Sequence, residues 1–370
     1  IAAGQPILRG LAERRALARL PNASAGAPNI LLIILDTVRA SSLSLYGYDQ
    51  PTTPGLDQRA KRGAVFDRAL STTSWTLPSH ASMFTGRYPY NFPASWEIPL
   101  GSEFPTLAEV LQEHGYATGG FVANLLYTQR ESGLARGFIH YEDFRVSREQ
   151  LKESTALGQR IYEWQGGWVS AKRAYDRKPG EEVSSSFLRW VDQTRDAPFF
   201  AFLNYYDAHV PYRAPQPWRD RFKTGRRDRD RYDASIAFLD QEIDGLLEEL
   251  QARGHLENTI VVLTSDHGEL FGEHGLEGHG NGLYDPTLHV PLVIWYPPVV
   301  QTGRRIERPV TLRDLPATLL DLAGIANHPL GGTSLRPLFR GDTATSGFSP
   351  LLAHLRKGIK TPPDQPVSKG

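Results

Sequence analysis

The stretch NILLIILD, residues 29–36, decides the reading of the fold. Six aliphatic side chains follow one another without a polar interruption. A strand with one wet face alternates apolar and polar residues with a period of two. An unbroken run of this length fits a strand covered on both faces, as in a parallel sheet clothed by helices. Four more segments read as strands: ATGGFVAN (117–124), FFAFLNYY (199–206), TIVVLTSD (259–266) and VPLVIWYP (290–297).

Helical periods fall between them. PTLAEVLQEHG (105–115) has Pro in its first turn and Gly at its end. In the segment 230–254, Ile236, Leu239, Ile243, Leu246 and Leu250 step by three and four, and Gly254 stops the pattern. LRDLPATLLDLAG (312–324) is a third helix. Short apolar runs alternating with helices predict an α/β fold with a largely parallel sheet. Residues 213–229, with two prolines and the run GRRDRDR, read as a polar loop.

The chain has 370 residues, 40% of them hydrophobic, enough for a large core. Lys plus Arg and Asp plus Glu both number 41, so no global basic field argues for a nucleic-acid polymer as partner. There are no cysteines, which removes disulfides, zinc–thiolate sites and Cys nucleophiles together. No run approaches the roughly 20 apolar residues of a membrane span. LRGLAERRALARL (8–20) reads as a basic helix with an apolar stripe, either a surface helix or a juxtamembrane segment. The sequence starts at Ile, so a lost N-terminal part, carrying a membrane anchor, is an expectation.

Ligands of open α/β sheets gather beyond the carboxyl ends of the strands. Asp36 stands there after the first strand, Asp207 and His209 after the third, Asp266 and His267 after the fourth. Any one of these alone reads as a loop residue. Asp36, Asp266 and His267 together offer two hard oxygens and an imidazole to Zn²⁺, Mn²⁺ or Mg²⁺. Adjacent residues point oppositely on a regular strand, so Asp266 and His267 share an ion only if the chain turns, which Gly268 permits. A second segment, TTSWTLPSHASMFTG (72–86), crowds hydroxyls before a helix. A hydroxyl at Thr76 stands at the helix N-terminus, where free N–H groups favour anions. The plain alternative is that Thr76 or Ser74 is an N-cap worth ~1 kcal/mol.

Six motifs occur in order: NILLIILDTVRASSLSLYGY, TSWTLPSHASMFTGRYP, DAHVPY, YDASIAFLDQEIDGLL, TIVVLTSDHGELFGEHG and LYDPTLHVPLVI. From about residue 28 to about 325 the chain thereby resembles the sulfatase family of the alkaline-phosphatase superfamily. The resemblance implies a three-layer α/β/α sandwich. Two departures change the expected chemistry. Sulfatases carry C-x-P-S-R or S-x-P-S-R, whose first residue becomes formylglycine, whereas this chain reads TLPSH. Threonine bears a methyl on its β-carbon, so its oxidation cannot give an aldehyde. The family's paired Asp-Asp is Asp36-Thr37 here, one ligand fewer.

Thr is the nucleophile in superfamily relatives similar to nucleotide phosphodiesterases, lipoteichoic acid synthases and phosphoethanolamine transferases. The resemblance thus implies Thr76 as nucleophile, on a divalent ion (Mn, Zn, Mg or Ca) held by Asp36, Thr76, Asp266 and His267. It assigns His209 and His279 to catalysis beside the substrate anion and leaving group. His80, Arg39 and Asn281 are candidate substrate contacts, and Asp207 with His209 a candidate second ion site. The expected activity is metal-dependent hydrolysis or transfer of a phosphoester of phosphodiester or phosphonate type, on a small-molecule, glycan or lipid-headgroup substrate. Alternatives are a sulfuric ester hydrolase without formylglycine, and a non-catalytic member that binds an anion or lipid headgroup. His274 and His289 read as structural, and Asn204 and Trp75 as cleft or packing residues. Expected divisions are an N-terminal basic helix and linker (1–27), a catalytic domain (28–340) and a loop-rich tail (341–370), truncated before a small C-terminal subdomain. Family habit points to a periplasmic or otherwise extracytoplasmic, membrane-associated setting.

Overall fold

The computed structural model describes residues 4–144, 177–194, 197–300, 302–340 and 351–355. Strand β1 (Asn29–Leu35) lies inside an eight-stranded sheet with β2 (Ala64–Phe66), β3 (Ala117–Val122), β4 (His140–Glu142), β5 (Phe199–Tyr205), β6 (Thr259–Thr264), β7 (Leu292–Trp295) and β8 (Arg304–Ile306). The spatial order is β8-β2-β7-β6-β1-β5-β3-β4. β7 runs antiparallel to both its neighbours, and the other pairings are parallel. The five strands expected from sequence are all present. The three that were not anticipated, β2, β4 and β8, are three residues each, too short to display a period.

β1 shows why its sequence is continuously apolar. Ile30, Leu32 and Ile34 enter one core, against Leu77, Ala81 and Phe84 of α3 (Thr76–Thr85) and Leu315 and Leu319 of α7 (Leu315–Leu322). Leu31, Ile33 and Leu35 enter the other core, against Phe187 of α5 (Gly180–Val191) and Ile236, Leu239, Ile243 and Leu246 of α6 (Arg227–Ala252). Each of these six β1 side chains is at most 3% exposed, and burying one contributes about 1.5–3 kcal/mol. Both faces must therefore be apolar, which is the three-layer sandwich.

Helix ends shift from expectation for local reasons. α2 (Pro54–Ala60) opens on its proline after Thr53, and α4 (Leu107–Glu113) begins at Leu107 rather than Pro105, because Thr106 and Glu109 form a reciprocal capping box. α6 begins at Arg227, inside the expected polar loop, with Asp228 and Asp230 in its first turn. The N-terminal helix α1 (Gly4–Leu17) is joined to the body by Glu13, 3.2 Å from His140, and by Leu17 and Leu20 on the second core. No helix among the described residues is long and apolar enough to cross a membrane. Most of the 341–370 tail lies outside the described residues. In the part described, His354 N–H donates to the Thr72 carbonyl at 2.8 Å.

Candidate active site

Registration of β1 between β5 and β6 builds the site. Ile34 pairs with Asn204 on one side and Thr264 on the other. The residues that leave these three strands at their carboxyl ends are therefore neighbours: Asp36, then Asp207 and His209, then Asp266 and His267. Asp36, Asp266 and His267 are fully buried, and one ligand atom from each lies within 4.8 Å of the others. Among the described residues this is the one such group.

The donor set fits a cation. Asp36 Oδ1 and Asp266 Oδ2 are buried without a hydrogen-bond partner, a state that costs free energy unless something charged completes it. Their other oxygens are occupied. Asn124 donates to Asp36 Oδ2 at 2.9 Å, and the Thr37 and His267 backbone N–H groups donate to Asp266 Oδ1 at 3.2 and 2.9 Å. Burial, then the nearby Asp266 charge, raises the Asp36 carboxyl well above its ordinary range. Burial likewise raises Asp266. His267 Nδ1–H donates to the Gly268 carbonyl at 3.1 Å, which leaves Nε2 free for a ligand. Burial pushes the His267 imidazole down to about 3, so it is neutral.

The expected turn after β6 is present, but its cause differs. The strand ends at Thr264 and the chain bends at Asp266. Gly268 has another use: a Cβ there would strike the Pro286 carbonyl and the Arg39 side chain.

Thr76 is the first residue of α3, and the N-cap is Trp75, which makes no side-chain cap. The hydroxyl of Thr76 is thus no capping group. Its Oγ1 lies 3.3 Å from His267 Nε2. Ser79 and Ser71 both donate to the Asp266 carbonyl, which fastens α3 to the loop that carries Asp266 and His267. Thr37 adopts φ +65° and gives its hydroxyl to the Asp36 and Ala208 carbonyls, so it offers the site no side-chain donor in place of a second Asp.

His279 stands over this group. Its ring centroid lies 4.5 Å from His267, 5.0 Å from His209 and 5.3 Å from Trp75. Burial lowers its basicity, but the Glu269 carboxylate at 2.9 Å and the charge of Asp266 together outweigh that, so the net shift is upward. His209 stacks on Tyr206 at 4.2 Å and donates Nδ1–H to the Val210 carbonyl at 2.9 Å. Its basicity is lowered, first by burial and then by His279.

The remaining candidates lie differently. His80 is wholly buried, with Nδ1 donating to the Thr76 carbonyl at 2.8 Å and Nε2 unpartnered. It backs the peptide of Thr76. Arg39 turns to Ser42, the Glu269 carbonyl and Glu273, and Asn281 is exposed and ties back to the Glu277 carbonyl. Asp207 Oδ1 accepts the Gly180 N–H at 3.3 Å, at the start of α5, and burial pushes its carboxyl up to about 7. His274 stacks on Tyr284, and His289 is bonded to the Asp67 carbonyl at 2.9 Å. Sequence reasoning missed Asn124 and Glu269. Asn124 closes the strand motif ATGGFVAN at the same sheet edge, and Glu269 follows His267 by two residues in SDHGE. Both signals were present.

This topology, with a cation-compatible donor set at the carboxyl edge of a mostly parallel sheet, makes the protein an alkaline-phosphatase-like α/β fold. The family model "Sulfatase" matches residues 28–325, and the chain belongs to the sulfatase family. It is 28% identical to an ulvan-active sulfatase of Formosa agariphila, over 80% of this chain and 62% of that protein. The chain thus spans less than two thirds of that relative's length. It is 25% identical to an arylsulfatase of Clostridium perfringens, over 86% of this chain and 79% of that one. The crystal structure of a phosphonate monoester hydrolase of Agrobacterium radiobacter shares the fold, with a TM-score of 0.68 at 23% identity, covering 85% of this chain and 77% of the other.

Proposed function

We propose that the protein cleaves or transfers monoanionic esters, phosphodiesters or phosphonate monoesters, through Thr76. The observation that carries this reading is the meeting of the Thr76 hydroxyl, at a helix N-terminus and 3.3 Å from His267 Nε2, with a buried Asp–Asp–His group. A divalent cation held by Asp36, Asp266, His267 and Thr76 would supply Lewis acidity and make the hydroxyl more acidic. Thr76 Oγ1, having given its proton to solvent, attacks phosphorus in line, forming the Oγ1–P bond as the P–O bond to the leaving group breaks and the leaving oxygen takes a proton. The free N–H groups of α3 stabilise charge on the equatorial oxygens. His279 donates to the leaving oxygen, and His209, whose Nδ1–H serves the Val210 carbonyl, holds a second oxygen of the anion once that charge has drawn a proton onto its Nε2. Water or an acceptor alcohol then releases the covalent ester from Thr76.

The preference for a monoanion follows from residue type. His80 stands where the family motif has an arginine, and Arg39 is committed to Glu273, so no guanidinium faces Thr76 from these positions. A dianionic phosphate monoester would find less positive charge here. Sulfate monoesters are also monoanions, and the relatives' names support sulfuric ester hydrolysis as the second reading. Thr76 still excludes formylglycine on covalent grounds. In either reading the substrate is a small-molecule, glycan or lipid-headgroup ester whose reactive group is one of these monoanions.

The test is a panel of p-nitrophenyl phosphate, methyl p-nitrophenyl phosphate, p-nitrophenyl phenylphosphonate and p-nitrophenyl sulfate with metal-replete protein. Phosphodiester or phosphonate turnover above sulfate is the expected result. Sulfate turnover above both selects the second reading, and no turnover of any ester, with metal bound, selects a binding role.

A further inference from the structure

Glu269 is completely buried, and its two oxygens have different partners. Oε1 lies 2.9 Å from His279 Nδ1, and Oε2 accepts from the Tyr212 hydroxyl at 3.3 Å. A hairpin brings Glu269 and His279 together. Leu270 pairs with Gly278, and Phe271 with Glu277, in an antiparallel ladder. One step further along that register are Glu269 and His279. The chain around Glu269 is fixed twice, by the Gly268 N–H on the Thr287 carbonyl and by Arg39 on the Glu269 carbonyl. The carboxylate therefore holds the imidazole from a rigid base, rather than following it.

An imidazole has two nitrogens, and only one can face the leaving group. The bond at Nδ1 determines which. We propose that Glu269 is a positioning residue, whose carboxylate fixes the His279 ring so that Nε2 faces the leaving-group side of Thr76. The proposal deepens the reading above and rests on His279 meeting the leaving oxygen. Glu269 touches no reacting atom and acts only through His279.

Two esters of the acid selected by the panel separate this from a structural role: a phenyl ester, with a poor leaving group, and a p-nitrophenyl ester, with a good one. Glu269→Ala is expected to lower kcat for the phenyl ester by about 10–100-fold, the usual scale for a residue that orients a functional histidine. KM should stay within about twofold, and the p-nitrophenyl ester should lose about threefold or less, because an easily expelled group needs little help. In a His279→Ala background, adding Glu269→Ala should change neither ester by more than about twofold, since a residue acting through His279 has nothing left to position. Glu269→Gln keeps an oxygen to accept from Nδ1–H and should fall between wild type and Glu269→Ala. It also completes the same cycle if the alanine variant does not fold. Equal losses for both esters, or additive losses in the double variant, overturn the positioning role while leaving Thr76 and His279 in place. A His279→Ala variant with no dependence on leaving group removes both His279 and this proposal.

Discussion

At the first residue of α3, the Thr76 hydroxyl lies 3.3 Å from His267 Nε2. Thr76→Ala should abolish turnover by roughly 10³-fold or more, the scale on which removal of a nucleophile acts. Thr76→Ser should keep kcat within about tenfold, because the hydroxyl remains. Both are read from kcat on the best ester of the panel, and an alanine variant with wild-type kcat would sink the nucleophile assignment. A second residue tests burial rather than chemistry. Asp314 is 5% exposed, and burial pushes its carboxyl up to about 6, against the pull of the Thr333 N–H and Arg313. The folded state thus holds the proton more tightly than the unfolded one, whose reference value is 3.8. The stabilisation from this group is complete below the unfolded value and is lost as pH rises through about 6. A gap of about two units is worth at most about 3 kcal/mol. Asp314→Asn keeps an oxygen for the Thr333 N–H at 2.9 Å but does not titrate. Its stability relative to wild type, from urea unfolding, should rise by up to about 3 kcal/mol between pH 4 and pH 8. A difference independent of pH would refute the shift.

Helix α3 links that chemistry to the core. All ten of its residues are buried, and it ends at Gly86 with φ +68°. The Gly86 N–H donates to the Ser82 carbonyl at 2.9 Å, and a Cβ at this position would collide with the Gly331 carbonyl. Gly86→Ala should cost roughly 1–3 kcal/mol in urea unfolding, from the left-handed backbone together with that collision. A loss below about 0.5 kcal/mol would show that the C-terminal end of the helix is free to move. Elements of this kind were legible in different degrees. β1, β5 and β6 announced themselves because burial on both faces forces continuous apolar sequence. The strand-end acids Asp36 and Asp266 were legible because a charge directly after such a run needs a reason. β2, β4 and β8 were not, since three residues carry no period and pairing partners decide them. Arg39 and Asn281 show the same limit at the site. Their residue type suits an anion, but their direction is set by Glu273 and the Glu277 carbonyl, which only the folded chain brings near. Glu269 escaped notice for the converse reason, because its partner His279 is ten residues away across a hairpin.

Over the whole molecule, the sheet concentrates two carboxylates at a dry edge and leaves their mutual repulsion uncompensated by any lysine or arginine hydrogen bond among the described residues. Folding without a cation therefore works against itself at the one place where the three central strands converge. A cation that binds only the folded chain should stabilise all of it, by about 2.7 kcal/mol at one hundred times its Kd. Protein stripped with EDTA should melt lower than protein refilled with Mn²⁺ or Zn²⁺, and it should be inactive until refilled. Asp36→Asn separates cause from effect. Without the second charge, the metal-free variant should melt above metal-free wild type, because burial and Asp266 both oppose ionisation of Asp36. The same variant should lose most of the metal-induced rise, because it lacks a ligand. Differential scanning calorimetry of both proteins, with and without metal, reads all four values. If Asp36→Asn keeps the full metal-induced rise, the cation binds elsewhere, and the convergence of Asp36, Asp266 and His267 has some other purpose.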